Sequence, residues 1–117
     1  MSDVTLYGIK ACDTMKKAFN WLDDHKIDYV FHDYKKQGID TDALRLAIAQ
    51  HGWDTAINRR GTTWRKLPED VKNAMDESKA IDIAVQNPSI VKRPLLVVQG
   101  ESHLGFKEEA YKEIFKR

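Results

Sequence analysis

The chain has 117 residues, enough for one domain with a core that folds unaided. Its 42% apolar and 32% charged residues are ordinary for a globular protein, and a net charge of +1 sets up no strong field toward nucleic acid or membrane. A single cysteine excludes an internal disulfide, a Cys-rich zinc site and an iron–sulfur cluster, and no apolar run approaches a membrane span.

Val4-Thr5-Leu6-Tyr7 is β-branched and aromatic in the manner of a strand, and Gly8 ends it. From Met15 the apolar positions change to Met15, Ala18, Phe19 and Leu22, the stripe of an amphipathic helix over about 14–25, with Asp13 or Thr14 as its N-cap. Ile27 to Asp33 alternates as a second strand, with Tyr29 and Phe31 on one face and Val30 and His32 on the other. Strand, helix and strand in so short a span make a βαβ unit with parallel strands. Tyr34 to Gly38 reads as a polar turn. Asp40 or Thr41 caps a helix that carries Leu44, Ala47 and Ile48 and stops at Gly52. Trp53 to Leu67 has no period and reads as a long irregular loop, ordered by Trp53 and Trp64. Pro68 opens another helical piece, and a helix over about 78–86 turns Ala80, Ile81, Ala84 and Val85 inward before Asn87-Pro88 ends it. Leu95-Leu96-Val97-Val98 is a central buried strand. Gln99 to Ser102 turns into a strand over His103 to Phe106, and a last helix over about 107–116 buries Ala110, Tyr111, Ile114 and Phe115.

Cys12 lies between the first strand and the first helix. A lone cysteine is commonly an inert, small buried hydrophobe. Here the free N–H groups and positive dipole end of the helix favour a thiolate, and Lys10, Lys16 and Lys17 act in the same sense while Asp13 opposes them. Arg59, Arg60 and Arg93 are either solubilising surface residues or charged forks for a carboxylate or oxyanion. Thr14 is either a helix cap or, with Lys10, part of an anion pocket. Trp53 and Trp64 either pack the middle of the chain or wall the cleft. The four histidines show no metal-ligand spacing, and no metal site is expected.

Tyr7-Gly8-Ile9-Lys10-Ala11-Cys12-Asp13-Thr14-Met15-Lys16-Lys17-Ala18, Ile57-Asn58-Arg59-Arg60-Gly61, Asn87-Pro88-Ser89-Ile90-Val91-Lys92-Arg93-Pro94-Leu95 and Leu104-Gly105-Phe106 resemble the arsenate reductase (ArsC)/Spx family, nearest its YffB-like branch. The resemblance implies an α/β, thioredoxin-like fold, β-α-β … β-β-α on a mixed four-stranded sheet. It implies, too, a single domain over 1–117 with a central helical insertion over about 38–90. It implies that Cys12 is the catalytic nucleophile, that Arg59 (with Arg60 beside it) and Arg93 surround it, and that Pro94 follows a cis bond facing it. A cis bond there would expose the backbone of Arg93 to a peptide-like thiol. The place of the family's third arginine holds Phe106, followed by Lys107, and the place of a second, Spx-type cysteine holds Met15.

The expected function is that of a glutathione-dependent thiol reductase with Cys12 as nucleophile and Lys10, Thr14, Arg59, Arg60, Arg93 and Pro94 as the substrate- or glutathione-binding set. Glutathione is the co-substrate, no cofactor is held, glutaredoxin is a further partner, and neither nucleic acid nor membrane is bound. Met1-Ser2-Asp3 lacks a signal-peptide layout, so the expected location is the cytoplasm. The alternatives are an arsenate reductase that uses glutathione and glutaredoxin, and a Spx-like regulator that binds RNA polymerase.

Overall fold

The computed structural model describes residues 3–116. The chain divides into two compact units, one made of residues up to Asp33 together with those from Arg93 onward, the other of Tyr34–Lys92.

The first unit is built on a four-stranded sheet. Strand β1 (Val4–Gly8) is followed by helix α1 (Asp13–Asp24) and strand β2 (Val30–Asp33). Strands β3 (Leu95–Val98) and β4 (Glu101–Leu104) and helix α8 (Glu108–Phe115) complete it. The strand order is β2-β1-β3-β4. β1 runs parallel to β2, with Leu6 opposite Phe31 and Tyr7 opposite His32, whereas β1–β3 and β3–β4 are antiparallel. This β-α-β then β-β-α order on a mixed sheet is the thioredoxin-like arrangement expected from the sequence.

Its core explains why α1 and α8 lie where they do. Val4 and Leu6, two apart on β1, share a face with Leu96 of β3, and Met15, Ala18, Trp21 and Leu22 of α1 and Tyr111 of α8 close over them. Trp21 meets Tyr111 edge-on at 5.5 Å between ring centroids and lies 5.7 Å from Phe115, which ties the two helices together. Tyr29 and Phe31 flank Phe19, at 6.1 and 4.9 Å. Tyr7 and His32 pair at 5.1 Å, and Val30 is left 53% exposed. The alternation expected for β2 therefore holds, but the strand is shorter than its apolar pattern and begins only at Val30. The β3–β4 turn is also tighter than expected. It needs only Gln99 and Gly100, both at positive φ (50° and 81°), so β4 starts at Glu101.

In the second unit, the polar turn expected from Tyr34 is a single helical turn, Tyr34–Gln37 (α2), with Tyr34 buried. Helix α3 (Thr41–His51) is capped by Asp40, whose carboxylate accepts from the N–H groups of Asp42 and Ala43 at 3.0 and 3.1 Å. Gly52, at φ 89°, ends it. The stretch expected to be irregular contains two further single turns, α4 (Trp53–Ala56) and α5 (Thr62–Arg65). Helix α6 (Glu69–Asn73) follows Pro68, and α7 (Glu77–Gln86) is capped by Asp76. Ala80, Ile81 and Ala84 are buried as expected, but Val85 is 52% exposed because it sits past the edge of that stripe. Ala110 of α8 is likewise exposed, one residue to the side of Tyr111 and Ile114. A 3₁₀ turn over Pro88–Ile90 leads to Val91, which pairs with Ile57.

Candidate functional site

β1 ends at Gly8, and the loop that follows closes with the Cys12 N–H donating to the Ile9 carbonyl at 3.3 Å. Cys12 is extended (φ −84°, ψ 133°) and is itself the N-cap of α1, a place expected for Asp13 or Thr14. The side-chain preference of Asp and Thr is overridden because the loop turns the chain one residue earlier, so the first helical bond runs from the Lys16 N–H to the Cys12 carbonyl at 3.0 Å. Cys12 is half-buried and touches the core of the first unit without being sealed in it.

The same unit presents Arg93 to this sulfur. Arg93 stands two residues before β3, and the Arg93–Pro94 bond is cis, as the resemblance implied. Pro94 is fully buried, and its carbonyl accepts from the Gly105 N–H at 2.9 Å, so the approach to β3 is tied to the residue that follows β4. Burial acts to raise the thiol pKa. The Met15 N–H, a hydrogen bond from the Arg93 side chain, the Thr14 N–H and the Arg93 charge outweigh it, and Cys12 titrates below the ordinary thiol range. The sulfur makes no capping hydrogen bond of regular geometry, so the two amides act on it as aligned dipoles. Thr14 contributes through its backbone, while Lys10 is exposed on the loop before Cys12. Phe106, where the resemblance implied a third arginine would stand, packs edge-on against Tyr111 at 4.7 Å.

Arg59 and Arg60 come together in the second unit. They stand on the turn after Ile57, where the Asn58 carboxamide oxygen accepts from the Arg60 N–H at 3.2 Å. The Arg59 guanidinium lies 5.9 Å from the ring centroid of Trp53, which itself is 6.1 Å from the ring of Trp64. An open cavity of about 640 Å³ is lined by Asp54, Thr55, Ile57, Asn58, Arg59, Arg60 and Lys92. Asn58 and Lys92 belong to this cluster and were not singled out in the sequence. Their pairing follows from the Ile57–Val91 bridge and the 2.8 Å bond from the Lys92 N–H to the Ala56 carbonyl, neither of which leaves a local pattern. No described helix is long and apolar enough to cross a membrane.

A family model described as the ArsC family matches residues 7–114. The solved structure of a YFFB protein is 55% identical and superposes with a TM-score of 0.89, covering 94% of this chain and 96% of that one. An arsenate reductase (ArsC) related protein from Brucella melitensis is 51% identical with a TM-score of 0.75, covering 100% of this chain and 97% of that one. The global transcriptional regulator Spx of Streptococcus pyogenes is 29% identical over 116 residues, 97% of this chain and 86% of that protein.

Proposed function

The chain belongs to the ArsC family, and we propose that it is a glutathione-dependent thiol reductase with Cys12 as its one nucleophile. What carries this reading is a half-exposed sulfur at the start of a helix, faced by a guanidinium and held below the ordinary thiol pKa. A lowered thiol pKa enlarges the thiolate fraction that disulfide exchange needs.

The step balances without any other group. The Cys12 thiolate attacks a sulfur of a mixed disulfide between glutathione and a substrate thiol. A bond forms from Sγ to the glutathione sulfur, the original S–S bond breaks, and the substrate leaves as a thiolate that takes a proton from water. A second glutathione thiolate then attacks that same glutathione sulfur, which releases oxidised glutathione and returns Cys12 as thiolate. Glutathione must do the resolving because no second cysteine exists in the chain. Arg93 stabilises Cys12 as nucleophile in the first step and as leaving group in the second. The residues we assign to glutathione are Lys10 and Thr14, near Cys12 in the first unit, and Arg59 and Arg60, carboxylate-binding forks of the second. Glutaredoxin is a further partner for the mixed disulfide, and the cytoplasm is the compartment that supplies the reductant.

Two features weigh against the alternatives. Phe106 gives an oxyanion no third guanidinium and is committed to packing on Tyr111, which disfavours arsenate as substrate. Met15 is fully buried at the place where a Spx-type switch keeps its second thiol.

The test is a glutathione titration followed by backbone amide shifts, alongside an assay of mixed-disulfide reduction. Perturbation around Cys12 and Arg93, with reduction abolished in Cys12→Ser, is the expected result. Equal turnover by Cys12→Ser would defeat the reading.

A further inference from the structure

We propose that Met15, seated in the space that Gly8 leaves open, is a positioning residue for the Cys12 thiol. Its buried side chain fixes the first turn of α1 against the end of β1, so that its own amide N–H stays aimed at Sγ. The inference rests on Cys12 being the working nucleophile.

Glycine at position 8 is a matter of space and not of conformation. The glycines at positive φ are Gly38, Gly52, Gly100 and Gly105, and Gly8 is not among them. A Cβ added to Gly8 would instead run into Met15 Sδ and lie 2.7 Å from Met15 Cε and 3.4 Å from Cγ. The thioether therefore lies on the bare Cα of the strand's last residue. Although that end of Met15 is flexible, the residue is 0% exposed, within the cluster of Leu6, Ala18, Leu22 and Leu96. Moving it displaces either this core or the helix turn that bears it.

That turn carries the chemistry. Residues 12 to 16 are held at their two ends, by the Cys12 N–H on Ile9 and by the Lys16 N–H on Cys12. Neither bond sets the rotation of α1 about its axis. The buried stripe of Met15, Ala18, Trp21 and Leu22 does, and Met15 is its member in the first helical turn, next to Cys12. Its N–H is also the foremost of the groups that favour the thiolate. The position that would hold a resolving thiol in a two-cysteine enzyme thus holds an anchor for the one-cysteine site.

The experiment is the pH dependence of iodoacetamide alkylation of Cys12 in the wild type, Gly8→Ala, Met15→Ala, Met15→Leu and the Gly8→Ala/Met15→Ala pair, with thermal melts to establish that each is folded. Gly8→Ala and Met15→Ala are expected to slow alkylation at pH 7 at least about threefold, through a profile displaced to higher pH with an unchanged plateau. Met15→Leu, close in volume, should stay near the wild type. The pair should lie nearer the wild type than either single change, because the added methyl fills part of the space vacated. A wild-type profile already displaced to low pH, with Gly8→Ala and Met15→Ala lowering only the melting temperature, overturns the inference alone. A wild-type profile at the position of a free thiol overturns the reductase reading and the inference together. Should Met15→Ala not fold, Met15→Val, a smaller loss of volume, carries the same expectation in direction.

Discussion

Arg93 decides more at the site than its charge. A guanidinium can donate to the sulfur and hold its plane against a second acceptor, whereas an ammonium is a point charge on a mobile stem. Arg93→Lys should therefore slow Cys12 alkylation at pH 7 although the charge is kept. Arg93→Ala should slow it about tenfold or more, the size expected for losing a hydrogen bond to a charged group. A rate in Arg93→Lys equal to wild type would reduce Arg93 to an electrostatic neighbour. The linkage also has a sign. Because the native thiol pKa is depressed, the stability it contributes is present above the unfolded value and is lost as the pH falls through the native one. At this scale the sequence was informative about Cys12 and Arg93, since residue type and place along the chain suffice. It was misleading about the cap, where the composition rule favoured Asp13 or Thr14 and a loop hydrogen bond to Ile9 settled the matter in favour of Cys12.

At the scale of elements, whatever owed its form to a sustained period or a strong cap was legible. Helix α3 is the plainest example, begun by Asp40 and ended by Gly52. Asp40→Ala should cost about 1 kcal/mol of stability, measured by urea denaturation, because two N–H groups lose their acceptor. The single turns α2, α4 and α5 were not legible, because four residues are too few to display a 3.6-residue repeat. For α4 and α5, non-local contacts hold the chain next to them, the Ile57–Val91 bridge and the 3.0 Å hydrogen bond between the Thr63 and Ser89 hydroxyls. The same limit explains Val85 and Ala110. Each lies at the margin of an apolar stripe, and only the neighbouring elements determine how wide a stripe is covered.

For the molecule as a whole, Tyr111 is one of two tyrosines, with Tyr29, whose raised pKa shapes the response to pH at the alkaline end. Tyr111 is 1% exposed, its hydroxyl has no hydrogen-bond partner among the described residues, and burial raises its pKa. An unfolded tyrosine ionises near about 10, so between that value and the raised native one only the unfolded chain loses its proton. Stability is then whole below about pH 10 and falls as the pH rises toward the native value. Tyr111→Phe should flatten that alkaline limb and, by removing an unsatisfied buried hydroxyl, raise stability near neutrality by up to about 1 kcal/mol. Chemical denaturation across pH 7–11 checks both, and an unchanged alkaline limb would assign it to other groups. Aromatic burial of this kind was visible in the spacing of α8, but the orphaned hydroxyl was not, because hydrogen-bond satisfaction depends on what the far side of the core provides.

The solitary sulfur also dictates what happens when small thiols run out. A peroxide would convert it to a sulfenic acid with no intramolecular mate to capture it. The thiol of a second polypeptide can then staple two chains through one covalent link, whereas a second peroxide carries an uncaptured sulfenic acid on to sulfinate.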